Sequence, residues 1–169
     1  MIVKINRLIE DKYQNEIKIL KSRLANLTSQ INSHFIFNTL ENISSLAQIE
    51  GNRQIVTMSK SLGDMLRYSM DFEGDLIRLE KEIGHLRQYL NIQEVRFGNE
   101  IQLELDLEKG TEKRKVMRFM LQPIVENAIE HGMAGKEFPW RIRIHTYGKG
   151  QELFIEVVDN GVGMDEETL

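Results

Sequence analysis

Residues 2–49 contain neither proline nor glycine, and no other feature of this 169-residue chain restricts its folding as much. Nothing there removes a backbone donor or loosens the backbone, so nothing there ends a helix. Apolar residues recur at Ile17, Leu20, Leu24, Leu27 and Ile31, a seven-residue repeat of the a/d kind, after a weaker stripe at Ile2, Ile5 and Ile9. The spacing predicts one helix of about 45 residues, roughly 70 Å long at the ordinary rise. Such a helix has too little of its own chain to cover its seam. Pairing with the same helix of a second copy is the expected solution, a homodimer through the N-terminal helices.

Carried on from Ile31, the repeat lands on His34 and Asn38, one turn apart on one face. Around them Gln30, Asn32, Glu41 and Asn42 mix with Phe35, Ile36, Phe37 and Leu40. The apolar positions then spread around the helix through Ile43, Leu46 and Ala47, which calls for more than one packed neighbour. Glu50-Gly51-Asn52-Arg53 reads as a turn with Gly51 as C-cap. A second helix, with Ile55, Met58, Leu62, Met65 (or Leu66) and Ser69 on one face, folds back antiparallel as a hairpin. Asp71–Asp75 breaks it. A third helix runs from Ile77 to about Arg96, with Leu79, Ile83, Leu86 and Leu90 at helical spacing, and ends at Phe97-Gly98-Asn99.

The pattern then changes period. Ile101–Leu107 alternates strictly and reads as a half-buried strand. After a charged link at 108–115 a helix is expected from about Val116 to His131, with Gly132 at its end. Arg141–Tyr147 alternates, Gly148-Lys149-Gly150 turns, and Leu153–Val158 runs as a second strand of an antiparallel hairpin. The fold class is α+β. A helical hairpin over 1–74 forms a dimeric four-helix bundle, and 75–169 holds a connecting helix and a strand–helix–strand–strand unit.

Composition narrows the function. A net charge of −4 gives no electrostatic reason to bind nucleic acid. The absence of cysteine excludes disulfides and thiolate metal sites. No run approaches the roughly 18 apolar residues of a membrane span, and Met1–Arg7 has no signal-peptide core.

Two further clusters could carry chemistry. Asp159-Asn160-Gly161-Val162-Gly163-Met164 follows a strand, where an acid and two alternating glycines make a tight turn with exposed backbone. The Asp can accept a hydrogen bond from an amino group such as that of adenine, and the glycines let a planar ring approach the main chain. The same pattern also suits a tight loop with a solvated acid. Gln122-Pro123-Ile124-Val125-Glu126-Asn127-Ala128-Ile129-Glu130-His131-Gly132 places Glu126, Asn127, Glu130 and His131 within two helical turns. Oxygen ligands there suit Mg²⁺, which keeps waters and shares ligands with phosphates. The bland alternative is a polar face ending in an ordinary cap at His131 and Gly132.

Taken together, the three clusters resemble those of sensor histidine kinases of the autolysin-sensor (LytS/YesM-like) class. That family's phosphoacceptor motif, Gln-Ile-Asn-Pro-His-Phe-Leu-Phe-Asn-Thr-Leu, matches residues 30–40 at nine of eleven positions. Gln122–Gly132 is similar to its N box, and Asp159–Met164 to its first glycine box. Leu79–Ile83, Tyr89–Gln93 and Arg96–Gly98 resemble its connecting segment, so the likeness covers nearly the whole chain.

The resemblance implies a Bergerat-type ATP-binding fold in the C-terminal unit, present here without its C-terminal part. ATP and Mg²⁺ are the implied cofactors. His34 is the implied phosphoacceptor with Asn38 beside it; Asn127 ligates Mg²⁺; Asp159 holds the adenine amino group; Glu130, His131, Gly161 and Gly163 complete the nucleotide contacts. A response-regulator receiver aspartate is the onward acceptor. The expected location is cytoplasmic, with any membrane attachment through segments outside this chain.

Departures from the family pattern qualify these expectations. Ser33 stands where the family has proline, and Met117 and Arg118 replace prolines before the N box. Phe35 occupies the place where many histidine kinases carry an acid, leaving the general base open, with Glu126 a candidate. The glycine-rich lid and second glycine box of the family lie beyond residue 169. Weak nucleotide binding and negligible autophosphorylation are expected of these residues alone. A helical dimerisation module with a vestigial nucleotide site is the competing reading.

Overall fold

The computed structural model describes residues 33–70, 74–98, 101–132 and 139–163. The predicted a/d helix over 2–32, the break at 71–73 and Met164 lie outside the described residues, as does the side chain of Ser33. The chain divides into two compact units, residues 1–39 and 40–169.

Helix α1 spans Ser33–Ile49 and α2 spans Arg53–Met70. The turn between them is built from specific backbone bonds. Gly51, at φ 74°, donates to Gln48 O at 3.2 Å, and Asn52 N donates to Ala47 O at 2.8 Å. These are the two bonds of a Schellman motif, which needs a left-handed residue that glycine supplies without a Cβ clash. The Asn52 side chain then accepts from Ile55 N at 3.2 Å and opens α2 as its N-cap. One residue closes one helix and starts the next.

The hairpin packs through small side chains. A Cβ on Gly63 would meet Leu40 Cδ1 at 3.9 Å, and Ser44, Ala47 and Ser59 are buried. The apolar face expected to pack α2 is divided instead: Met65 joins the core, while Ile55, Met58 and Leu62 stay exposed. On its other side α2 meets the next helix, where Ser61 Oγ donates to Gln88 Oε1 at 2.9 Å and accepts from Asn91 at 3.2 Å.

Strand β1 (Leu76–Arg78) precedes α3 (Leu79–Phe97). The expected helix start at Ile77 is therefore corrected by two residues. The β-branched Ile77 pairs in register with Val116 of β3 (Lys115–Met117), both buried, and Leu79 N donates to Arg114 O at 2.9 Å. The same pairing corrects the helix expected from Val116. After β3 the chain turns through Phe119, a non-glycine residue at φ 57°, and α4 covers only Leu121–Asn127. A wider π-type turn, Ala128–Gly132, continues it.

A three-stranded sheet completes the unit. β2 (Ile101–Leu107) runs parallel to β4 (Trp140–Lys149), which is antiparallel to β5 (Glu152–Asp159), in the order β2-β4-β5. Alternation places Ile142 and Ile144 in the core with Leu79, Leu86, Leu121 and Val125 of α3 and α4. On the other face Arg143 pairs with Glu104 at 2.9 Å. The 108–114 link is fastened by Arg114, whose guanidinium donates to Gly150, Gln151 and Glu152 carbonyls at the β4–β5 turn. Among the described residues, no helix is long and apolar enough to cross a membrane.

Candidate functional site

In the first unit His34 and Asn38 are both exposed on α1. Asn38 Nδ2 lies 3.3 Å from Nδ1 and 3.3 Å from Nε2 of His34. The amide lies equally close to both, so it can donate to whichever ring nitrogen carries the lone pair in the neutral imidazole. Helical spacing of four residues is sufficient to produce this pair.

In the second unit the folding brings together two stretches far apart in sequence. Val162 N donates to Gly132 O at 2.7 Å, joining the end of the π turn to the loop after β5. Asp159 Oδ1 accepts from Gly161 N at 2.8 Å, a local turn that leaves the carboxylate further acceptor capacity. A Cβ on Gly161 would sit 2.5 Å from Asp159 Oδ1 and closer still to Gly132 O. A Cβ on Gly132 would stand 3.2 Å from the same carboxylate oxygen. Backbone and carboxylate thus approach to a distance at which only hydrogen fits. Gly163, at φ 77°, needs glycine for its conformation instead.

Asn160 anchors this loop. Its Oδ1 accepts from Arg141 N at 2.8 Å, its Nδ2 donates to Pro139 O at 3.2 Å, and its own N–H donates to Arg141 O at 3.1 Å. Sequence reasoning treated it as motif filler, although an amide beside a strand end is an ordinary signal for such a clamp.

Asn127, Glu130 and His131 are exposed along the end of α4 and the π turn. Glu126 and Glu130, four apart, act together on α3. The Tyr89 hydroxyl is pushed up to about 12, first by burial and then by these two carboxylates. Asn127 sits between them in sequence, a neutral amide between two acids. Among the described residues, no cluster of three or more His, Asp or Glu side chains is arranged to hold a metal alone.

Helix α4 is held at its start by a residue that sequence reasoning passed over. Glu82 of α3 is fully buried, and its carboxylate accepts from Leu121 N at 3.0 Å, Phe119 N at 3.1 Å and the Tyr68 hydroxyl. An acid in phase with the Leu79, Ile83 and Leu86 stripe was the available signal.

An exposed imidazole beside an amide on a helix, followed by an α+β unit with a carboxylate–glycine cradle, fits the core of a histidine kinase. Residues 22–101 match the family model described as histidine kinase, and residues 112–169 match that of the histidine kinase-, DNA gyrase B-, and HSP90-like ATPases. The chain belongs to the sensor histidine kinases. It is 35% identical over 169 residues to the sensor histidine kinase YesM of Bacillus subtilis (strain 168), covering 100% of this chain and 29% of that protein. The sensor protein kinase HptS of Staphylococcus aureus (strain NCTC 8325 / PS 47) is 31% identical over 163 residues, covering 96% of this chain and 31% of that protein. The chain thus spans less than a third of the length of these relatives.

Proposed function

We propose that this chain is the core of a two-component sensor kinase that, in the intact protein, phosphorylates His34 from ATP and passes the group to a response-regulator aspartate. The observation that carries this reading is the cradle formed by Gly132, Asp159 and Gly161, on a chain that also presents His34 beside Asn38. The cradle suits the edge of a planar base: Asp159 accepts from an exocyclic amino group, and the bare glycine backbone gives the ring room. Asn127 offers a neutral oxygen to Mg²⁺, whose other ligands are phosphate oxygens and water. Glu130 and His131 follow it on the π turn. We assign residues 1–74 to dimerisation and phosphoacceptance and 75–169 to the connecting helix and the first part of the ATP-binding domain.

Bound ATP with Mg²⁺ supplies the phosphoryl group, and the chain supplies position and charge. A neutral His34 nitrogen forms the N–P bond as the P–O bond to ADP breaks. The ring proton on the other nitrogen then leaves to a base or water. Asn38 orients without adding negative charge. Glu126 is the candidate base. The protein acts at the cytoplasmic side of a sensor anchored through segments outside this chain.

The test uses the intact protein with Mg²⁺ and γ-labelled ATP. Acid-labile, base-stable phosphate is expected in the wild type and absent from His34→Gln. Label that survives the substitution would reject His34 as acceptor. No label in either protein would favour a helical dimerisation module with a vestigial nucleotide site.

A further inference from the structure

The strongest unassigned feature is the buried polar cluster where α2, α3 and α4 meet. Glu82 and His85, one turn apart on α3, both face it, and both are buried. From α2 comes Tyr68, whose hydroxyl donates to Glu82 and whose ring stacks on His85 at 4.0 Å and 15°. From the entry to α4 come Arg118, Phe119 and Gln122. Arg118 donates to Tyr68 O and lies 4.6 Å over the Tyr68 ring; Phe119 meets Tyr68 edge-on at 5.2 Å. Gln122 Oε1 is 2.6 Å from His85 Nε2.

The geometry points to Glu82 as a positioning residue of the nucleotide site, holding α4 in place and tying it through Tyr68 to the last turn of α2. The inference rests on the proposed function, because α4 and its π turn carry Asn127 and Gly132. Three observations support it. First, α4 lacks a cap of its own: Met120 precedes it with no side-chain bond to its amides. The two Glu82 oxygens divide that work, one on Leu121 N and the other on Phe119 N. Second, Phe119 is held at φ 57°, a conformation costly for a residue with a Cβ, so its surroundings must impose it. Glu82 grips the amide of that very residue. Third, the link to α2 is directional. Burial, and then the bond to Glu82, push the Tyr68 hydroxyl well above its ordinary range, which keeps it a donor to the carboxylate. A displacement of the end of α2 therefore reaches α4 through the Tyr68 hydroxyl and the Glu82 carboxylate, beside the Arg118 and Phe119 contacts with the same tyrosine.

Glutamine at 82 keeps the shape but turns one acceptor into an amide donor facing a backbone N–H. Tyr68→Phe is milder and removes the hydroxyl alone. The intact protein is titrated with Mg·ADP by calorimetry, and amide exchange is followed by mass spectrometry. Glu82→Gln is expected to weaken binding about tenfold and Tyr68→Phe about threefold, as expected for charged and neutral hydrogen bonds lost from a positioning network. Amide exchange at Leu121 and Val125 should rise in both variants while exchange in β4 does not. Ile144→Val, a core control that lowers thermal stability, should leave the Mg·ADP midpoint within twofold. Wild-type binding with unchanged affinity in both clamp variants would overturn the inference and leave the functional reading standing. Equal weakening by Ile144→Val would also overturn it, since the effect would then be one of stability. No binding by the intact wild-type protein would overturn the nucleotide reading and the inference with it.

Discussion

His85 shows how burial selects a protonation state. Its Nε2 donates to Gln122 Oε1, while Nδ1 is buried with no hydrogen-bond partner. A second ring proton would have nothing to bond to. Burial lowers the pKa; Arg118 lowers it further, and Gln122 and Glu82 raise it only in part. The unfolded chain therefore binds this proton more readily than the folded one. The associated stability is complete above the ordinary histidine value of about 6.5 and is lost as pH falls from there toward the lowered folded value. The melting temperature should drop between about pH 7 and pH 5 more steeply in the wild type than in His85→Gln. Equal slopes in calorimetric scans would remove His85 from the account. At this scale His34, Asn38, Asp159 and the glycines stood out in the sequence as chemically odd choices for their surroundings. His85 did not, because a histidine on a helix resembles a surface residue until the burial of its face is known, and the one trace of Glu82 was its phase with the Leu79, Ile83 and Leu86 stripe.

At the scale of elements, local chemistry predicted most of the architecture. Gly51 and Asn52 marked the α1–α2 turn, and both act there through named backbone bonds. Asn52→Ala removes the side-chain acceptor for Ile55 N and should cost about 1 kcal/mol in urea denaturation, with little change in the slope of the transition. A loss near zero would mean that water replaces the cap. Alternation located β2 and β4 because each has one face in the core, and the Gly148–Gly150 turn located β5 as the hairpin partner of β4. Val116 and Ile77 were assigned to helices for a clear physical reason. A three-residue strand is too short to show a period, and its partner lies far along the chain. Helix α2 exists as expected; Ser61 makes a polar contact with α3, while Ile55, Met58 and Leu62 of its apolar face stay exposed.

At the scale of the molecule, the displaced stripe becomes informative. Ile43, Leu46 and Ile49 of α1 and Ile55, Met58 and Leu62 of α2 are exposed, with Ile49 at 83% and Leu46 at 63%. Apolar residues in such number on a helical hairpin are the surface that a second copy covers in the proposed dimer. Leu46→Lys with Leu62→Lys should weaken self-association at least about a hundredfold in sedimentation equilibrium, as expected when central apolar contacts are replaced by charge. Unchanged association would place the interface elsewhere, including the a/d seam over residues 2–31. The sequence alone determined what depends on neighbours within a few positions: helical and alternating periods, the Gly51–Asn52 turn, the His34–Asn38 pair and the order of the three motifs. Tertiary structure decided what depends on contacts across long separations. Glu82 grips amides 37 and 39 positions away, and Gly132 meets the loop at Gly161 with no room for a side chain. No local pattern encodes such contacts, because they arise only when buried polar groups must find partners within a packed core.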